Sequence, residues 1–287
     1  MEQKQVGCLY LCATPIGNLE DITLRVLRIL KEVDLIAAED TRNSVHLLQH
    51  FDIHTPMTSY HEFNKIEKAY QLIEKMKKGI RVALITDAGT PGISDPGEEL
   101  VRLCREQGIP VTSLPGAAAC ITALSMSGLS SRRFTFEAFL PREKKARLTV
   151  LKELEHDTRT IILYEAPHHL KKTLKELYQV LGNRRISVCR ELTKKFETVF
   201  LTTLEHALDF YNKEEPRGEF VLILEGCSRE KLVEEERDRW KQLSVSEHME
   251  YYLNQGLDQK TAMKQVAKDR GVGKREIYQM ILEEKHV

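Results

Sequence analysis

Between Val6 and Gly116, short apolar runs alternate with amphipathic stretches, and this rhythm leaves few architectures open. VGCLYLCA (6–13), DLIAAED (34–40), IRVALITD (80–87) and IPVTSLPG (109–116) read as strands, the last ending in a turn. DITLRVLRILKEV (21–33), EKAYQLIEKMKKG (67–79) and GEELVRLCREQG (97–108) carry a helical period between them. Asp21 is a candidate N-cap, and Gly79 and Gly108 stand where a left-handed residue closes a helix. Strands separated by helices build a parallel sheet flanked by helices, because parallel neighbours need a crossover.

The pattern changes after AAACITALSMSG (117–128), which reads as a helix. TRTIILYEAP (158–167), RISVCREL (185–192), FETVFLTT (196–203) and GEFVLILEG (218–226) read as strands, and HHLKKTLKELYQVLG (168–182) as a helix. The last two strands are separated only by LEHALDFYNK, so a mixed sheet in a second α/β domain is expected. A very polar stretch, SREKLVEEERDRWKQL, follows Gly226. Three short helices are then expected over 246–255, 258–270 and 273–284, with Ala262, Val266, Val272, Ile277 and Ile281 as their core. The expected division is 1–116, 117–227 and 228–287.

Lys+Arg and Asp+Glu each count 43, so the formal net charge is zero and any nucleic-acid site must be a local patch. No apolar run reaches the roughly eighteen residues that suggest a membrane helix. The start, MEQKQVGCLYLCATP, does not read as a signal peptide, so a cytoplasmic protein is expected. Six cysteines are scattered without a CxxC, which fits reduced core thiols. The histidines do not combine with them at ligand spacing, so no metal is expected.

LITDAGTPGISDPGEEL (84–100) holds Gly89, Gly92, Gly97, Pro91 and Pro96 just after a strand. A Gly-rich loop in that position usually suggests a phosphate, yet GxGxxG and GxxxxGK[ST] are both missing. Between Arg81 and Arg102 there is no cation, while Asp87, Asp95, Glu98 and Glu99 are present. The loop is either a tight turn or a cradle for a neutral or cationic ligand. ATPIGNLEDI (13–22) and LPGAAAC (114–120) follow other strands of the same sheet. Three such turns at one sheet end converge into a pocket, which favours the ligand.

TPIGNLEDIT, AAEDTRNSVHLLQHFDI, SYHEFN, LITDAGTPGISDPGEELV, LPGAAACITAL, ILYEAPHHL and RGEFVLILEG, in this order, resemble the ribosomal RNA small subunit methyltransferase I group of the tetrapyrrole methylase superfamily. The resemblance runs from about residue 7 to 226. It implies two α/β domains around S-adenosylmethionine, usually as a homodimer, and a 2′-O-methylated cytidine in the decoding region of 16S ribosomal RNA within the small subunit. A sulfonium cofactor without phosphate suits the acidic loop. The implied cofactor residues are Pro15 and Gly17, then Asp87, Ala88, Gly89 and Ile93, then Ala118 and Ala119, then Tyr164 and Glu165, with Gly218 and Phe220 last. Tetrapyrrole relatives carry GDP where this chain reads DAGTP, which points to the ribosomal RNA branch.

A ribose hydroxyl needs a base. Glu39 or Asp40 is the expected one, at a strand end, with Arg42 as phosphate holder or ion-pair partner. These three residues also read as a surface ion pair at a helix start. His61 and Asn64 are candidates for a ribose contact, and His61 for the base, or else His61 is a satisfied loop histidine. Arg132, Arg133, Arg142, Lys144, Lys145 and Arg147 form one candidate RNA patch, or a solvated face. Lys260, Lys264, Lys268, Lys274 and Arg275 form another, on a tail whose KDRGVGKREIY resembles a helix-turn-helix, or serves dimer packing. Two further readings remain: a tetrapyrrole carbon methyltransferase, and a ribosome-assembly factor without catalysis.

Overall fold

The computed structural model describes residues 6–284. The first sheet holds β1 (Leu9–Cys12), β2 (Leu35–Ala38), β3 (Met57–Ser59), β4 (Val82–Ile85) and β5 (Val111–Leu114), all parallel, in the order β3-β2-β4-β1-β5. Helices α1 (Leu24–Glu32), α2 (Thr41–His50), α3 (Lys65–Lys77) and α4 (Glu98–Glu106) connect them. β4 is buried throughout, because alternate side chains feed two cores. Val82 and Leu84 join Leu72, Met76, Leu100 and Leu103 of α3 and α4. Ala83 and Ile85 join Val26, Leu30 and Leu48 of α1 and α2. The connection from β1 to β2 passes beyond β4, and that from β4 to β5 passes back beyond β1. The chain therefore leaves these two central strands in opposite directions, which opens a crevice at their carboxyl ends.

The second sheet is mixed, as expected. It holds α5 (Ala119–Met126) on one face and β6 (Phe134–Phe139), β7 (Thr160–Glu165), β8 (Arg185–Arg190), β9 (Thr198–Thr203) and β10 (Phe220–Leu224) in the order β6-β7-β10-β8-β9. Only β6 and β7 run parallel. Of α6 (Lys144–Glu155), α7 (Pro167–Leu181) and α8 (Leu204–Lys213), the last two bury Leu170, Leu174, Leu177, Leu204 and Ala207 on the other face.

The two sheets belong to one compact unit, running through Leu154 and over Arg159–Glu225. The other unit is Glu155–Thr158 with Gly226–Val287. It contains α9 (Arg229–Lys241), α10 (Val245–Asn254), α11 (Gln259–Arg270) and α12 (Lys274–Glu284). Ala262, Val266 and Ile277 are its core with Val245 and Met249, and Val272 and Ile281 pack against them. Ser244 and Glu247 form a capping box, Asp258 caps α11, and Gly271 turns left-handed before α12.

Five elements differ from the sequence reading, α9 among them, since its stretch read only as very polar. α2, β3, β6 and α6 were not expected either, and Asp21 does not cap α1. Asp21 ends a single 3-10 turn, and Thr23 Oγ1 accepts the Val26 amide at 3.2 Å instead. All six cysteines are free thiols.

Candidate active site

The carboxyl ends of β1 and β4 open onto a cavity of about 410 Å³. Its first wall comes from Ile16 after β1, from Ala88, Gly89, Thr90, Ile93, Ser94 and Asp95 after β4, and from Ala118 and Ala119 before and at the start of α5. Hydrogen bonds tie the three loops together. Thr14 N donates to Gly89 O at 2.9 Å, and Gly89 N returns to Thr14 O at 3.0 Å. Thr90 Oγ1 donates to Ala117 O at 3.0 Å. Gly116 permits this closeness, since a Cβ there would lie 2.6 Å from the Ala13 Cβ.

The second sheet supplies the other wall, with Phe139, Tyr164, Glu165, Leu192, Glu219 and Phe220. Tyr164 is fixed from two sides. Its hydroxyl accepts the Cys120 amide at 3.1 Å, and its ring meets Phe136 and Phe139 edge-on, with centroids 5.1 and 5.6 Å away. In a regular strand Phe136 and Phe139 would face opposite ways. A bulge between Phe136 and Ala138, with Ala138 at φ 52°, turns both toward Tyr164. Burial raises the Tyr164 pKa further, so this phenol stays neutral. Glu165 is buried and accepts from Ala166 N at 2.8 Å and from Thr173 Oγ1.

Charge is arranged asymmetrically, and among the described residues no Lys or Arg lines the cavity. Asp40 caps α2, accepting the Arg42 amide at 2.8 Å and its guanidinium at 2.6 Å. The guanidinium bond, chiefly, lowers the Asp40 carboxyl to about 2. Glu39 accepts the Asp87 amide at 3.3 Å, and burial raises its pKa. Asp87 accepts Asn43 Nδ2 at 3.0 Å. Burial first, then the Glu39 and Asp87 charges, push Asp95 up to about 7. Asp95 and Ser94 also line a neighbouring cavity of about 510 Å³ with Glu62, Lys65 and Glu98.

The family model for Tetrapyrrole (Corrin/Porphyrin) Methylases matches residues 8–208. The chain belongs to the tetrapyrrole methylase family. A Halalkalibacterium halodurans protein named ribosomal RNA small subunit methyltransferase I is 51% identical over 99% of this chain and 97% of its own length. The Bacillus subtilis protein of that name is 46% identical over 96% and 94%. The fold also matches Thermus thermophilus uroporphyrin-III C-methyltransferase, solved with S-adenyl homocysteine, at a TM-score of 0.55 and 20% identity, over 76% of this chain and 97% of that one. A diphthine synthase matches at 0.59 and 14%, over 76% and 90%.

In this methylase, Ala88, Gly89, Ile93, Ala118, Ala119, Tyr164, Glu165 and Phe220 line the cavity. Pro15, Gly17, Asp87 and Gly218 do not. Ile16 is the residue of the first loop on the wall, while Gly17 packs so close to Lys194 that a Cβ would lie 2.5 Å from its Cγ. Gly218 turns left-handed at φ 82° beneath the Glu191 carboxylate, and its neighbour Glu219 reaches the wall. His61 lies outside both linings, and its backbone amide donates to Asn64 Oδ1 at 2.9 Å.

The basic segment is divided. Arg142, Lys144 and Lys145 are exposed at the Phe139 end of β6. Arg132 and Arg133 are exposed at its other end, about 20 Å away at strand rise. Arg147 does not belong to the exposed patch. It is 8% exposed, with Nε on Glu176 at 2.5 Å and Nη2 on Thr173 Oγ1 at 2.6 Å, so its charge is spent inside the fold. Lys260, Lys264, Lys268, Lys274 and Arg275 are all exposed on α11 and α12. The sequence reading missed Asp95, Phe139, Leu192 and Glu219 as site residues. The absence of cations near Asp95 was a usable signal, whereas Phe139 sits on a strand that had not been found.

Proposed function

We propose that this methylase transfers a methyl group from S-adenosylmethionine to the 2′-hydroxyl of a cytidine ribose in the decoding region of 16S ribosomal RNA. The observation that carries this is the match of nearly the whole chain, tail included, to relatives named for small-subunit ribosomal RNA. The uroporphyrin-III methyltransferase covers only 76% of the chain. A small acidic macrocycle has no use for five exposed cations on α11 and α12.

The cavity suits the cofactor chemically. S-adenosylmethionine supplies a methyl group on a positively charged sulfonium. A lining with carboxylates and no cation favours that charge. The peptides of Ala88, Gly89, Ala118 and Ala119 would hold the polar parts. Ile16, Ile93, Leu192 and Phe220 would exclude water from the apolar ones. Holding two reactants in line contributes about 7–11 kcal/mol to such a step. Arg142, Lys144 and Lys145 at the Phe139 end of β6, with the tail cations, would grip the RNA phosphates. The enzyme is read as a cytoplasmic homodimer acting on the small subunit.

The test is methyl transfer from labelled S-adenosylmethionine to purified small subunits, with nuclease mapping. Label on one cytidine ribose is expected. No label, with S-adenosylhomocysteine still bound in calorimetry, would turn the search to a tetrapyrrole acceptor.

A further inference from the structure

Asp95 lines both the main cavity and the neighbouring one, so it stands where their contents would meet. The loop around it is tightly folded. Ser94 is held left-handed at φ 68°, Gly92 at φ 80°, and a Cβ on Gly97 would lie 2.9 Å from Gly92 N. A non-glycine residue in that conformation is strained, and such strain concentrates at functional sites.

The nearby acids are already engaged. Asp40 is taken by Arg42, Glu39 by the Asp87 amide, and Asp87 by Asn43. Among the described residues, nothing donates a hydrogen bond to Asp95. Around the neighbouring cavity, Lys65 pairs with Glu62 and Glu99 with Arg102. The charges of Glu39 from the end of β2 and Asp87 from the end of β4 act on Asp95, and its own acts on the neutral Tyr164 of β7; Glu165 and Glu219 share the first cavity with it, and Glu62, Lys65, Glu98 and Glu99 the second.

We propose that Asp95 is the catalytic residue that accepts the proton of the methyl-acceptor hydroxyl. The assignment rests on the ribose reading above. The step balances: the ribose oxygen bonds to the methyl carbon, the carbon–sulfur bond breaks with its electron pair left on sulfur, and the hydroxyl proton passes to the Asp95 carboxylate. Burial first, then the Glu39 and Asp87 charges, keep Asp95 basic, and its freedom from donors leaves its lone pairs for the hydroxyl.

The experiment uses the full chain and small subunits in single turnover. Asp95→Asn should lose roughly 10²–10⁴-fold in rate, the usual worth of a positioned base. Its affinity for S-adenosylhomocysteine, by calorimetry, should stay within about twofold of wild type, since a neutral isostere fills the same place. In wild type the rate should rise with pH to a plateau above about 7, where Asp95 is ionised. A carboxyl carbon resonance should titrate over the same range and vanish in Asp95→Asn. A ribose-labelling wild type with an unimpaired Asp95→Asn, or with a rate flat from about pH 5.5 to about pH 8.5, overturns the assignment alone. So does a rate loss matched by an equal loss of S-adenosylhomocysteine affinity. A wild type that labels no ribose overturns the ribose reading and the assignment with it.

Discussion

Two aspartates follow parallel strands at the same end of the first sheet, and their surroundings make them different groups. Asp40, after β2, caps a helix and holds a guanidinium, so its carboxyl falls to about 2. Asp95, in the loop after β4, is half-buried beside two other carboxylates, so it rises to about 7. Residue type and strand end made Glu39 or Asp40 the expected base, ahead of Asp95. Partnership reverses that ranking, because a carboxylate that already receives strong hydrogen bonds binds a proton weakly.

The largest effect should come from exchanging the two. Asp40→Asn should change the methylation rate by less than about tenfold, against a loss of at least about a hundredfold for Asp95→Asn, in parallel single-turnover assays. Equal losses would erase the distinction between engaged and free carboxylates.

The same distinction separates two arginines that the sequence grouped together. Arg147→Ala should destabilise the fold by roughly 1–3 kcal/mol in urea unfolding, because it removes the buried guanidinium that donates to Glu176 and to Thr173 Oγ1, while Glu176 stays partly exposed beside Lys172. Arg142→Ala should leave stability within about 0.5 kcal/mol and weaken subunit binding instead. A stable Arg147→Ala protein would mean that the buried pair is dispensable.

A smaller, binding-only effect is expected from the tail. Removing residues 246–287 should weaken subunit binding and flatten its salt dependence, because the exposed cations of α11 and α12 leave with it. S-adenosylhomocysteine affinity should not change. An unchanged salt slope would assign those cations to another role.

These contrasts also mark what the sequence could disclose. The parallel sheet and its Gly- and Pro-rich loops were legible, because they rest on strand periodicity and on glycines and prolines in fixed places. β3 was not, since MTS is three residues long. β6 was not, since FTFEAF lies between charged stretches and carries a bulge that breaks its alternation. Losing β6 hid Phe139 and made Arg132 to Arg147 look like one patch. Arg147 itself sits in a polar helix, and only the tertiary fold brings Glu176 and Thr173 to it.

The smallest effect sharpens the opening comparison through stability alone. Asp95 has a folded pKa of about 7, above that of an unfolded aspartate near 3.9. Below about pH 4 both states are protonated and the group costs nothing. As pH rises toward 7 the unfolded chain releases its proton first, so stability falls, and the full loss is present above 7. Asparagine carries no such penalty. Asp95→Asn should therefore be more stable than wild type at pH 8 by about 1–2 kcal/mol once solvent screening of a half-buried group is allowed for, and melt higher, with the gap closing toward pH 4. Asp40→Asn should show the opposite sign, because a lowered carboxyl adds stability above its unfolded pKa and gives it up as pH falls toward 2. Thermal melts of both variants across pH would carry the comparison without any substrate. Parallel curves would mean that the two aspartates share one environment, and crossing curves that one is built to hold its partner and the other to take a proton.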